Sequence, residues 1–334
     1  MKLKCVIGAF AVLCVVSTFA AAQNSAYRIS APYSHKNLTI FLIHGKDETS
    51  KTNILTLQEA MQRQILRVYE TSDVNELSVE NVSKQFDVFI QSGDIVKGGK
   101  QDRVLAVSII IRARSGRIKI EAFCVESGRW QKRGNEDSTQ FSSSNDRIVS
   151  KELKLAANSA RSQQEVWAKV SEAQDKLSTN LGTTVAAGSS RTSLQLSLEN
   201  GKVAATADEY VGKLRNLIEG KSDVIGYAFA INGEINSADI YASNALFKKL
   251  WLRMLKAAAV EAVAEQNSRA RSAPPAKPDA VKAFLAGADR GRAEERATGA
   301  GTRIVTRDQK DSAVYEARDE RSKTVVHRAY VKKH

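Results

Sequence analysis

Asn232-Gly233 stands between two apolar-rich segments, and this dipeptide constrains the fold more than any other feature of the chain. Both residues tolerate the positive φ of a type I′ turn, so residues 224–241 read as a tight antiparallel hairpin. Ile225, Tyr227, Phe229 and Ile231 alternate onto one face. Val224, Gly226, Ala228 and Ala230 alternate onto the other, where small side chains let a further element approach closely. Residues 244–265 follow at once with the longest helical pattern. Leu246/Phe247, Leu250/Trp251, Met254/Leu255 and Ala258/Ala259 form its buried stripe, and Lys248, Lys249, Arg253 and Lys256 its other face.

The rest of the chain mixes strands and helices irregularly. Residues 38–43 read as a strand. Thr56-Leu57-Gln58-Glu59 is a capping box, in which hydroxyl and carboxylate satisfy free helix N–H groups. Leu57, Met61, Ile65 and Val68 continue it at helical spacing. Residues 76–82, 86–95, 103–111 and 117–125 read as strands. The almost continuously apolar stretch 104–111 predicts one central strand buried on both faces. Ile118, Ile120, Ala122 and Cys124 share one face of the next.

Residues 132–144, rich in Ser, Asn, Asp and Gly, read as a loop. Ser162-Gln163-Gln164-Glu165 is a second capping box, opening a helix with Val166/Trp167, Val170, Ala173 and Leu177 inward. A small-residue loop at 180–191 precedes a helix carrying Val211, Leu214 and Ile218, which Asp208 is expected to cap. Three of the four prolines mark a linker near 272–278; a short helix at 281–288 and short strands at 303–305, 313–317 and 324–331 follow. No internal repeat is present. The pattern predicts an α+β fold: a mixed, mostly antiparallel sheet with about four to five packed helices and a C-terminal strand pair, rather than a doubly wound parallel sheet.

Lys2 and Lys4 precede an apolar run at 5–19, the length of a signal h-region and short of the roughly 20 residues that span a bilayer. Ala20, Ala21 and Ala22 supply the small residues that signal peptidase requires. Residues 1–22 are therefore expected to be an export signal cleaved after Ala22, with a retained membrane anchor as the other reading. Residues 23–36 then form an N-terminal extension and 37–334 a single α+β domain, periplasmic or secreted. Leu13 before Cys14 argues against a lipobox. Cys5 and Cys14 leave with the signal, so Cys124 remains alone and no intramolecular disulfide can form. The mature chain of about 312 residues is large enough to stand on its apolar core. No transmembrane segment is expected after cleavage.

Lys and Arg total 50 against 37 Asp and Glu, a net charge of +13, while 43% hydrophobic residues exclude a disordered chain. The basic residues are dispersed among acidic ones, without a Lys/Arg run or an aromatic-studded RNA motif. A sequence-specific nucleic-acid partner is therefore not expected. His35, His44, His327 and His334 form no H-E-x-x-H pattern and no C-x-x-C pair exists, so neither a metal nor another cofactor is expected. No G-x-S-x-G elbow occurs. Residues 93–101 miss a phosphate loop by one residue, and Gln101 stands where Ser or Thr would bind magnesium.

Polar residues concentrate at the ends of two predicted strands, in 93–103 and 124–130. If the strands pair, Lys100, Gln101, Asp102 and Arg103 lie near Glu126, Arg129 and Trp130. Glu126 shares the parity of Ile120 and Cys124, so it points inward and needs a cationic partner. One reading is a salt-bridge network with Trp130 as a core lid. The other is a pocket in which Lys100, Arg103 and Arg129 accept an anionic group and Trp130 supplies a stacking surface. Cys124, with no histidine beside it in sequence, reads as an inert thiol.

These two segments resemble the signature of the ARG-and-rhodanese-phosphatase-superfamily-associated protein domain, a bacterial family. Residues 37–41, 162–167, 225–239, the Phe247/Trp251 helix and Val326-His327-Arg328 resemble it in the same order. The Pro linker near Pro274 and the basic C-terminal end depart from its pattern. The name reports gene association with ADP-ribosylglycohydrolase and phosphatase-like neighbours. The resemblance therefore implies a fold unit and nucleotide-related company, and no catalytic residues to carry over. The expected function is a non-enzymatic, exported binding protein with an anion-accepting site, its partner an anionic small molecule or envelope component. The alternatives are a hydrolase or transferase of a phosphate- or nucleotide-bearing substrate, and adhesion to an envelope polyanion through net charge.

Overall fold

The computed structural model of the chain describes residues 27–49, 53–71, 73–134, 139–266 and 274–334. The expected signal at 1–22, with Cys5 and Cys14, lies outside the described residues, as do Ser272 and Ala273 of the linker. Among the described residues are seven α-helices and eighteen strands, an α+β fold. The first half runs β1 (Arg28–Ile29), β2 (Tyr33–His35), β3 (Leu38–His44), β4 (Ile54–Thr56), α1 (Leu57–Gln62), β5 (Leu66–Glu70), β6 (Glu76–Asn81), β7 (Asp87–Ile90), β8 (Asp94–Gly98), β9 (Arg103–Leu105), β10 (Ile109–Ile111), β11 (Arg117–Cys124) and β12 (Phe141–Arg147). A helical stretch follows: α2 (Lys151–Leu155), which runs on into a π-helical turn (Ala156–Ala160), then α3 (Gln163–Leu181), α4 (Leu194–Leu198) and α5 (Gly201–Leu214). The chain ends with β13 (Val224–Ile231), β14 (Glu234–Tyr241), α6 (Asn244–Ala264), α7 (Pro278–Ala288), β15 (Ala293–Ala297), β16 (Thr302–Asp308), β17 (Ser312–Asp319) and β18 (Val325–Lys332).

The hairpin forms as its turn dictates: Asn232 has φ 55° and Gly233 φ 84°. It lies inside a nine-stranded sheet of order β1-β3-β13-β14-β18-β17-β16-β15, with β2 also on β3. Residues 28–35, read from the sequence as an extension, thus pair with β3. Tyr227, Phe229 and Ile231 join Leu38, Ile40 and Leu42 on one face, against Phe247, Leu250, Trp251 and Met254 of α6. Ala228 and Ala230 lie on the other face, where their size admits Val281 and Leu285 of α7. The strict alternation fails at one end. A register shift between Val224 and Gly226 turns Ile225 to the α7 face and Val224 to the α6 face.

Two smaller sheets pack beside it. One has the order β10-β7-β4, with β4 parallel to β7; the other is six-stranded, β12-β8-β9-β11-β6-β5. A bridge between Tyr69 and Gln140 ties β5 back towards β12. The single buried strand expected at 104–111 is two. All its residues are buried, but β9 belongs to the six-stranded sheet and β10 to the three-stranded one, and the chain crosses at 106–108. The stretch 86–95 divides likewise into β7 and β8. Asp94 accepts the Gln91 N–H at 3.0 Å, and Ser108 Oγ accepts that of Ser92 at 3.0 Å, so side chains replace ladder partners at the crossing.

Other differences have local causes. The Thr56 capping box forms, but α1 ends at Gln62 and Gln64 turns with φ 57°, so Val68 belongs to β5. Part of the expected loop at 132–144 is β12, paired with β8; residues 135–138 lie outside the described residues. Asn200, not Asp208, caps α5: its side chain accepts from Lys202 N, and Asp208 sits inside the helix. The C-terminal pair is a four-stranded meander, β15–β18. No helix of the described residues is long and apolar enough to cross a membrane.

Candidate functional site

The two polar segments do meet. β9 and β11 pair antiparallel with Arg103 opposite Cys124, which brings 98–102 beside 125–130. Gly98 and Gly99 turn the chain with φ 109° and 58°. Asp102 and Glu126 are then fully buried. Arg129 Nη2 lies 2.7 Å from Glu126 Oε2 and 3.8 Å from Asp102 Oδ1. Arg133, outside the expected set, closes the square at 2.8 Å from Asp102 Oδ2 and 3.6 Å from Glu126 Oε1. Gly98 N and Ser193 Oγ also donate to Asp102, and Gln101 Nε2 donates to the Glu126 carbonyl at 2.8 Å.

Two carboxylates sharing one site split in proton affinity. Burial alone would raise both. Asp102 goes up despite Arg133, while the hydrogen bonds of Arg129 and Ser190 hold Glu126 below its ordinary range.

The other expected residues form an outer tier. Arg103 is fully buried, but its guanidinium is taken by Glu70 Oε1 at 2.9 Å and the Val74 carbonyl at 2.6 Å. Lys100 Nζ stands 5.1 Å from the centre of the Trp130 ring. Trp130 is 44% exposed, so it is a surface platform and not a core lid. Burial pushes the Cys124 thiol up to about 11, the state of an inert side chain. The guanidinium groups of Arg103, Arg129 and Arg133 each meet an acceptor of the chain, although Nε of Arg103 and of Arg129 is buried without a hydrogen-bond partner. Charges so matched brace the sheet end.

A second constellation lies where the 106–108 crossing, α2, β14 and β18 surround a cavity of about 60 Å³. That is several times the roughly 10–15 Å³ needed by one water. Ser108 Oγ lies 2.9 Å from His327 Nδ1, and His327 Nε2 lies 2.9 Å from Asp239 Oδ1. All three residues are buried and line the cavity. β14 and β18 set this geometry: Tyr241 pairs with His327, so Asp239 is the diagonal neighbour on the same face. Tyr241 stacks on the imidazole at 4.8 Å, and Gln91 Nε2 holds the Tyr241 hydroxyl at 2.8 Å. Burial is the largest influence on Asp239 and would raise it, but the hydrogen bond and charge of His327 together with the charges of Lys154 and Arg147 outweigh it and hold the carboxyl below its ordinary range.

Ionised Asp239 can only accept, so His327 carries a proton on Nε2, and in the neutral imidazole the Nδ1 lone pair faces Ser108. Ser108 Oγ accepts the Ser92 N–H on one lone pair and, against an unprotonated Nδ1, is the donor of that contact.

Arg147, Lys154 and Arg296 line the cavity beside the carboxylates of Asp239 and Glu316. Arg147 is paired with Asp94 at 2.7 Å, and Arg296 with Glu121 at 2.7 Å. Lys154 has no carboxylate within ion-pair distance among the described residues; its ammonium lies 5.4 Å from the centre of the Phe229 ring.

Sequence reasoning missed this group, though each member left a trace. Ser108 is the one hydroxyl in the apolar run 104–111, and Asp239 is the charge within an otherwise apolar strand end. His327 entered only through the resemblance of the last strand.

A family model described as the ARG and Rhodanese-Phosphatase-superfamily-associated Protein domain matches residues 26–331. No curated protein and no solved structure matches the chain.

Proposed function

The chain belongs to the ARG and Rhodanese-Phosphatase-superfamily-associated Protein domain family, and from that premise, which fixes no reaction, we propose that it is an exported binding protein for a small anion. The export reading rests on Lys2, Lys4, the apolar run at 5–19 and the three alanines that end it. The anion-accepting site is the cavity beside α2 rather than the Asp102–Glu126 cluster, where every guanidinium has an internal acceptor.

The observation that carries this reading is Lys154: a half-buried ammonium lining a cavity, near the buried carboxylates of Glu261 and Asp239 but in an ion pair with no carboxylate among the described residues. A charge so placed is stabilised by an anion that enters. Ser92, which donates its hydroxyl to Asn158 Oδ1 at 3.1 Å, adds a polar group to the same wall. The size of the cavity selects a carboxylate or phosphate group rather than a whole nucleotide.

Thermal denaturation of the purified protein with acetate or inorganic phosphate tests this. Ligand at 100 times its Kd stabilises by about 2.7 kcal/mol. Lys154→Met is expected to weaken binding at least about tenfold, the loss of one charge-assisted contact. Anion-induced stabilisation that is the same in Lys154→Met as in the parent overturns the reading.

A further inference from the structure

We propose that Ser108 and His327, positioned by Asp239, form a nucleophilic centre that cleaves small acyl esters in the cavity beside α2. The inference rests on the anion-binding reading, because the small carboxylate held there is the product such a reaction leaves.

The physical case is the direction of each hydrogen bond. Asp239 accepts from His327 Nε2 at 2.9 Å, so in the neutral imidazole Nδ1 is the base, and it faces Ser108 Oγ at 2.9 Å. The Ser92 N–H occupies one Ser108 lone pair and leaves another for attack. Nothing in the fold requires a histidine between a serine and an aspartate here. Apolar residues of similar shape on β14 and β18 would bury these positions without desolvating a carboxylate. The stacked Tyr241 and the edge of Phe89, 5.9 Å from the imidazole centre, fix the ring plane, so the base is held rather than merely present. A nucleophile within hydrogen-bond reach of a base, itself oriented by a third group, is the arrangement acyl transfer needs.

The step balances without any added cofactor. Ser108 Oγ bonds to the ester carbonyl carbon as its proton passes to His327 Nδ1. The tetrahedral intermediate breaks the bond to the leaving alcohol, which takes that proton from Nδ1. Water then gives a proton to Nδ1 and attacks the acyl carbon. Ser108 leaves and regains the proton, and the products are one carboxylic acid and one alcohol. The cavity of about 60 Å³ limits the acyl group to a few carbon atoms. Asp239 touches no substrate and is a positioning residue.

p-Nitrophenyl acetate is the probe. The parent protein is expected to release one rapid equivalent of nitrophenolate, with one acetyl group on the peptide that carries Ser108, found by mass spectrometry. Ser108→Ala is expected to lose at least about 100-fold in this rate while keeping the circular dichroism spectrum of the parent, which shows that it is folded. Ser108→Cys, which retains a nucleophile, is expected to be acetylated at residue 108. Asp239→Asn is expected to lower kcat and leave KM in place.

Two results overturn the proposal. One is acetylation at an unchanged rate in Ser108→Ala. The other is no burst in a parent protein that acetate still stabilises, which sinks the nucleophile and spares the binding reading. If acetate fails to stabilise the parent yet the burst and the Ser108 acetyl group appear, the binding reading falls and the nucleophile stands.

Discussion

Gln163 grips the backbone of Cys124 with both ends of its amide: Oε1 accepts the Cys124 N–H at 2.8 Å, and Nε2 donates to the Cys124 carbonyl at 2.8 Å. β6 pairs with β11 only up to Glu121, so this side chain, the first residue of α3, covers the edge of β11 away from β9 where β6 no longer reaches. Gln163→Ala would orphan a buried donor and a buried acceptor. The expected loss is about 2–4 kcal/mol of unfolding free energy, read from urea denaturation.

Arg129 and Arg133 hold the two buried carboxylates from opposite sides. Arg129→Ala is expected to cost about 3–5 kcal/mol, because it leaves buried charge without its partner. Adding Glu126→Gln is expected to recover part of that loss. Acetate-induced stabilisation is expected to be unaffected in the double variant, since the cluster takes no part in the cavity. A melting experiment with and without acetate reads both quantities.

Asp239 gives stability a defined pH dependence. Its folded-state pKa lies below the ordinary 3.8. In the range between the two values the unfolded chain binds more protons, so the contribution is complete above the ordinary value and is lost as pH falls through the folded one. Asp102 has the opposite sign: its raised value stabilises the fold below the ordinary range, and that contribution is lost as pH rises through the folded value. In Asp239→Asn the fall in melting temperature between about pH 5 and about pH 3 is expected to be shallower than in the parent.

Cys124 is buried, and its thiol is pushed up to about 11. In a chain beginning at Gln23, a disulfide reagent at neutral pH is expected to find no reactive thiol in the folded protein and one after denaturation in urea. Rapid reaction under native conditions would contradict the burial described for β11.

Local chemistry was the legible part of the sequence. Asn232-Gly233, the Thr56 capping box and the stripe of α6 each specify their element through contacts a few residues apart. The meeting of 98–102 with 125–130 was legible as well, since burying Glu126 demands a cation. What could not be read were choices settled by distant partners. The run 104–111 is apolar but for Ser108, and nothing in it says that Val104 and Ile110 belong to different sheets; their distant partners Ile95 and Phe89 settle that. Val68 fits helical spacing with Leu57, yet its pairing with Val79 wins. The cavity group was hidden for the same reason: Ser108, Asp239 and His327 are 131 and 88 residues apart in turn, and only the pairing of β14 with β18 makes two of them neighbours.

The large sheet takes β1–β3 from one end of the chain and β18 from the other, with β13 and β14 between them. Such a sheet has high contact order, and loops of some 180 residues must close before its centre is complete. A ribosome therefore delivers β18, and His327 with it, after every other strand of this sheet. A product cut short before Val325 would present β14 and β17 as two unpaired edges, which recruit other chains. Assembly of the cavity and resistance to aggregation thus depend on one eight-residue strand.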